Sequence, residues 1–79
     1  MTDYKNLSGQ SNVAQFEIGE DHIDVRFKTA SKDGSTTYRY SYGSAEQDNV
    51  EKMKSLAMQG SGLNSFINTN VKKLYENKW

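Results

Sequence analysis

Two alternating runs joined by an Asp-Gly turn constrain this chain more than any other feature. From His22 to Thr29, Ile23, Val25 and Phe27 alternate with Asp24, Arg26 and Lys28. Strand side chains point to opposite faces with period two, so this run has one apolar face and one charged face. Ser31-Lys32-Asp33-Gly34 then supplies a hairpin loop, with Asp-Gly as the turn signal. The run Thr36–Tyr42 alternates again, with Tyr38, Tyr40 and Tyr42 on one face and Arg39 on the other. Three of the five tyrosines in the chain are concentrated there. Such a strip either builds the core or stacks on a ligand, and a phenol at a sheet margin can do both.

The remaining pattern predicts what surrounds this hairpin. Ala14, Phe16 and Ile18 alternate against Gln15 and Glu17, which predicts a half-buried strand over residues 13–18, and Gly19-Glu20-Asp21 supplies the turn after it. Ser44-Ala45-Glu46-Gln47 matches a capping box. Val50, Met53, Leu56 and Ala57 then recur at helical spacing, and Gly60 is the expected stop. A second helix is expected from Leu63, with Ser61 as its N-cap. Leu63, Phe66, Ile67, Val71, Leu74 and Tyr75 form its apolar stripe, and Asn64, Asn68 and Lys72 form a polar stripe beside it. The expected fold class is α+β: a three-stranded antiparallel β-meander covered by two C-terminal helices, β-β-β-α-α. Residues 1–12, rich in Asn, Ser and Gly, read as a flexible N-terminal lead, and residues 13–79 as a single domain. The expected core holds Phe16, Ile18, Val25, Phe27, Val50, Met53, Leu56, Phe66, Ile67 and Leu74.

Charge restricts the function. Ten basic and ten acidic residues cancel, although residues 51–79 carry five basic and two acidic groups while residues 1–50 carry five and eight. A protein that coats long nucleic acid usually shows a strongly basic field; a neutral chain with a local excess of lysine fits a small anion better. No apolar run reaches the 18 or more residues of a membrane span, and Met1-Thr2-Asp3-Tyr4-Lys5 lacks a signal-peptide pattern, so a cytoplasmic protein is expected. There is no cysteine and a single histidine, so neither disulfides nor a metal staple are expected. Small domains without those devices often gain stability by associating, so a homo-oligomer is expected.

Candidate ligand-binding residues follow from the same strips. Tyr38, Tyr40 and Tyr42 offer stacking faces. Arg39, Lys72 and Lys73 offer charge-assisted bonds to phosphate. Gly60-Ser61-Gly62 precedes a helix, so the amides from Gly62 to Asn64 are a further candidate for an anion, or else an ordinary helix–helix turn. Asn64 and Asn68 carry both donor and acceptor and so can read a base edge. His22 reads as a surface histidine at a strand start. No spacing supports a catalytic site, a metal site or a cofactor site.

The order of alternating strand, Tyr-x-Tyr, helix, Gly-rich turn and Leu-Asn-x-x-Ile helix resembles the KTSC family, a short domain found at the C-terminus of some lysyl-tRNA synthetases and in free-standing small proteins. The matching residues are Val25, Phe27, Tyr38-Arg39-Tyr40, Leu56-Ala57, the Gly60–Gly62 turn, Asn64, Ile67 and Tyr75, over roughly residues 16–75. The chain departs from the pattern at Tyr42-Gly43-Ser44, where the family commonly has a Val-Pro pair. The resemblance implies a KTSC-like domain over residues 13–79 that is not an enzyme and is often suggested to bind RNA. Neutral charge moves the expectation towards a compact nucleotide ligand, including a cyclic dinucleotide. A phage-encoded oligomeric sponge that sequesters cyclic nucleotide immune signals in the host cytoplasm is the expectation carried forward. An RNA-binding module and a protein-interaction or inhibitor domain are the alternatives.

Overall fold

The computed structural model describes all residues, 1–79. Nine elements run in the order β1 (Thr2–Asp3), β2 (Val13–Ile18), β3 (His22–Phe27), β4 (Thr37–Ser41), α1 (Tyr42–Ala45), α2 (Gln47–Gln59), α3 (Leu63–Phe66), a π-helical turn (Ile67–Val71) and β5 (Asn77–Lys78). The sheet has five strands in the order β1-β2-β3-β4-β5, antiparallel at every step. The expected three-stranded β-β-β-α-α meander is thereby corrected. The three expected strands form the centre, and two-residue strands add an edge on each side. Helical structure is divided among α1, α2 and the α3–π segment, and the chain returns to the sheet after it. Edge strands of two residues give alternation nothing to repeat over, so no periodic signal announces them.

The segment before Val13, expected as a flexible lead, contributes β1 and packs on the domain. Tyr4 is buried, the Tyr4 amide donates to the Ala14 carbonyl at 3.0 Å, and the Leu7 amide donates to the Gly60 carbonyl at 2.8 Å. In β2 a register shift between Val13 and Gln15 marks a bulge. An extra residue in one strand re-aims its neighbours, so Val13 and Phe16, three positions apart, are both buried where strict alternation would have chosen Ala14.

The inner sheet face carries Phe16, Ile23, Val25 and Tyr40 and packs with Val50, Met53 and Ala57 of α2 and with Leu63, Ile67 and Val71. Ile18 and Leu74, both expected in the core, are 41% exposed. Ile18 ends its strand and Leu74 follows the last helical residue, so neither is covered. Phe27, Leu56 and Phe66 pack at the core margin.

Two caps differ from the sequence reading. β4 stops at Ser41 because Ser41 and Ser44 form a capping box, each hydroxyl accepting from the other's amide at 3.1 Å. This takes Tyr42 out of the strand and into the first turn of α1. Glu46, at φ +78°, then separates α1 from α2, so the helix expected from Ser44 begins at Gln47. Gly60 closes α2 in the left-handed conformation as expected, and Gly62, not Ser61, stands at the N-cap of α3.

Leu63, Ile67 and Val71 are buried at intervals of four. An ideal α-helix rotates such a stripe by about 40° every four residues. The wider turn over Ile67–Val71 offsets that drift. The neighbouring stripe of Asn64, Asn68 and Lys72 benefits equally.

Candidate functional site

The inner sheet face and the α3–π segment diverge at one end and enclose a pocket of about 350 Å³. That volume lies at the small end of the range for small-molecule sites, roughly 300–1,000 Å³. Phe27, Tyr38 and Tyr40 line it from the sheet, and Asn64, Ile67, Asn68 and Lys72 from the helical side. Loops close it with Asn12, Thr29 and Ser31.

Its aromatic wall is packed edge to face. Phe27 meets Tyr38 edge to face at 5.5 Å between ring centroids, and Tyr38 meets Tyr75 in the same way at 5.0 Å. Tyr40 is only 1% exposed. Burial pushes its phenol well above the ordinary value, so the hydroxyl stays neutral and can both donate and accept. On the loop side, the Thr29 hydroxyl donates to Asn12 Oδ1 at 3.2 Å, and the Lys28 amide donates to the Asn12 carbonyl at 2.8 Å.

Several polar side chains elsewhere are engaged with one another. Arg39 lies on the outer sheet face and binds Asp24 through two bonds, Nε to Oδ1 at 2.8 Å and Nη2 to Oδ2 at 3.1 Å. Its guanidinium also sits 5.6 Å from the centroid of the Trp79 ring. The Tyr42 hydroxyl donates to Glu51 at 2.6 Å, with the Lys54 ammonium 5.4 Å from its ring centroid. His22 sits 3.0 Å from Asp21. In contrast, the carboxamides of Asn64 and Asn68, the hydroxyls of Tyr38 and Tyr40 and the Lys72 ammonium have no hydrogen-bond or ion-pair partner in the chain. All five groups belong to residues that line the one pocket.

Of the residues chosen from sequence, the pocket brings together Tyr38, Tyr40, Asn64, Asn68 and Lys72. Arg39 and Tyr42 are committed elsewhere, and Lys73 is exposed outside the pocket. Gly62 lines a separate hollow of about 210 Å³, which shares Asn64 with the pocket. The amide of Leu63, a candidate anion donor, points instead to the Tyr4 hydroxyl at 3.4 Å. The sequence reading missed Asn12, Thr29 and Ser31 as site residues and took Phe27 and Ile67 as core alone. Loop residues carry no period, so nothing short of the folded chain places them beside the tyrosines.

No carboxylate, histidine or cysteine lines the pocket, and no three His, Cys, Asp or Glu side chains gather as metal ligands do. No helix is long and apolar enough to cross a membrane. No family model, curated protein or solved structure matches this chain. The KTSC likeness therefore rests on its motif residues alone.

Proposed function

We propose that this protein is a non-catalytic nucleotide-binding protein whose site is the pocket between Tyr38–Tyr40 and Asn64–Lys72. One observation carries the reading: uncommitted amides, phenols and an ammonium converge on a wall of aromatic rings. Such a set matches the three parts of a nucleotide. A base has a π-face for Phe27 or Tyr38, and its polar edge takes the donors and acceptors of Asn64 and Asn68. The phosphate takes Lys72. The lining holds no carboxylate, histidine or cysteine, the side chains that most often act as general base or nucleophile, which supports a binding role. Binding without turnover is what sequestration of a nucleotide signal requires. A cyclic dinucleotide exceeds one pocket's single lysine, which favours an assembly in which copies share a ligand. Exposed Leu7, Met58 and Trp79 supply apolar surface for association.

A thermal-shift and calorimetric screen against AMP, GMP, CMP, UMP, cyclic dinucleotides and short RNA oligomers tests this. A ligand present at a hundredfold its Kd should add about 2.7 kcal/mol of apparent stability. Asn64→Ala and Lys72→Ala should each weaken the response. The absence of any shift at millimolar nucleotide would refute the proposal. Binding only to RNA, falling steeply with salt, would favour the RNA-binding alternative. Light scattering should give a multiple of the 9.0 kDa chain mass; the monomer mass would remove the shared-ligand arrangement.

A further inference from the structure

The loop between β3 and β4 supplies Thr29 and Ser31 to the pocket, yet Thr29 and the tip residues Lys32, Asp33 and Gly34 are exposed and outside regular structure. Left to itself such a loop opens easily. Here it is anchored through Asp33. That carboxylate accepts from the Ser31 hydroxyl and, at 3.0 Å, from the Ser35 amide. Its other oxygen faces the ammonium of Lys78 at 3.1 Å. Lys78 belongs to β5, and the same ammonium lies 5.9 Å from the centroid of Tyr38 and 5.7 Å from that of Tyr75. Lys78 thus touches two walls of the pocket at once: the loop wall through Asp33 and Ser31, and the aromatic wall through Tyr38. The backbone continues the connection, since the amides of Thr36 and Thr37 both donate to the Trp79 carbonyl at 2.9 Å.

We propose that Lys78 and Asp33 are positioning residues for the pocket, forming a latch from β5 that holds Ser31 and Tyr38 in place and sets how long a bound nucleotide stays. The proposal rests on the nucleotide reading for its functional half. Its structural half stands by itself.

The latch adds little to overall stability. Lys78 and Asp33 are 33% and 51% exposed, and exposed ion pairs contribute little to global unfolding. Its effect is local: without it the loop keeps the Thr29 hydroxyl's bond to Asn12 and the backbone bonds among Ser31, Gly34 and Ser35, but no side chain of β5 holds its tip. Hydrogen bonding from Ser31 and Ser35, with the Lys78 ammonium beside it, holds the Asp33 carboxyl well below the usual carboxylate range. The latch therefore stays closed through mild acid and opens only as pH falls below that range.

The test compares the unaltered chain with Lys78→Ala, Lys78→Arg and Asp33→Asn. Amide hydrogen exchange of residues 29–36, read by NMR on the free protein, should rise about two- to fivefold in Lys78→Ala and Asp33→Asn, the factor that goes with one lost exposed ion pair. Lys78→Arg should restore the slow rate, because a guanidinium also pairs with Asp33. AMP and cyclic di-AMP then report the functional half. Their dissociation rates should rise by a similar factor in the two opened variants, and with added salt in the unaltered chain. Unchanged exchange in both opened variants would overturn the latch. Faster exchange with unchanged dissociation would overturn the positioning role. If neither nucleotide binds the unaltered chain, the nucleotide reading fails while the exchange result still decides the latch.

Discussion

At the scale of single residues, some polar groups of the chain satisfy each other and others face the pocket. Arg39 illustrates the first kind. It lies opposite Asp24 in the β3–β4 register, and Asp24 is almost fully buried, with 4% of its side chain exposed. Arg39→Ala leaves that carboxylate buried without its partner and should cost about 3 kcal/mol, towards the lower end for a broken buried pair because Arg39 itself is partly solvated. Chemical denaturation measures that loss. Nucleotide affinity in the same variant should not change, since the pocket is on the other face of the sheet. Tyr40 illustrates the second kind. Its phenol is raised above the ordinary 10.0 by burial and by the neighbouring Tyr38 and Tyr75. A folded state that holds a proton more tightly than the unfolded chain is stabilised below the unfolded value and loses that stabilisation as pH rises through the folded one. Thermal stability should therefore decline from about pH 10 upward. In Tyr40→Phe, which keeps the ring without the ionising group, that decline should be shallower. These two residues also show what was legible in sequence: the opposite faces of Arg39 and Tyr40 follow from alternation. Whether Tyr40 belongs to the core or lines a pocket did not follow, because it does both.

At the scale of elements, local rules and tertiary packing compete. Gly60 sits at φ +86°, and a β-carbon there would come within 2.6 Å of the Lys5 Cβ. Gly60→Ala should cost at least about 1–2 kcal/mol from the left-handed backbone alone, with the displaced Lys5 segment adding to it. Met53, with none of its surface exposed, faces the sheet from α2. Met53→Ala should cost about 2–5 kcal/mol, as large-to-small core changes do. Denaturant midpoints check both. The central strands and α2 were legible because five to thirteen residues give a period room to repeat. The edge strands were not, and neither was the break at Glu46, where the real capping box begins three residues earlier, at Ser41. The wide turn at Ile67–Val71 left a trace that can be recognised only afterwards: an apolar stripe and a polar stripe both spaced by exactly four.

At the scale of the whole molecule, a neutral chain of 79 residues devotes part of its aromatic surface to a cavity rather than to the core. The wall of Phe27, Tyr38 and Tyr40, the free carboxamides and Lys72 are what the proposed nucleotide would use there. The polar stripe and two tyrosines of the site could be read in advance. The pairing of that stripe with the inner sheet face could not, since it depends on how the helices cross the sheet. A titration of the 15N-labelled chain with AMP, GMP and cyclic di-AMP, followed by amide and Asn side-chain resonances, tests the central claim most directly. The account predicts saturable shifts at Asn12, Asn64 and Asn68 and at the backbone of residues 27–31 and 38–40, with the outer-face residues Asp24 and Asn77 little affected. Shifts centred on Asp24, Arg39 and Trp79, or none at millimolar nucleotide, would contradict it.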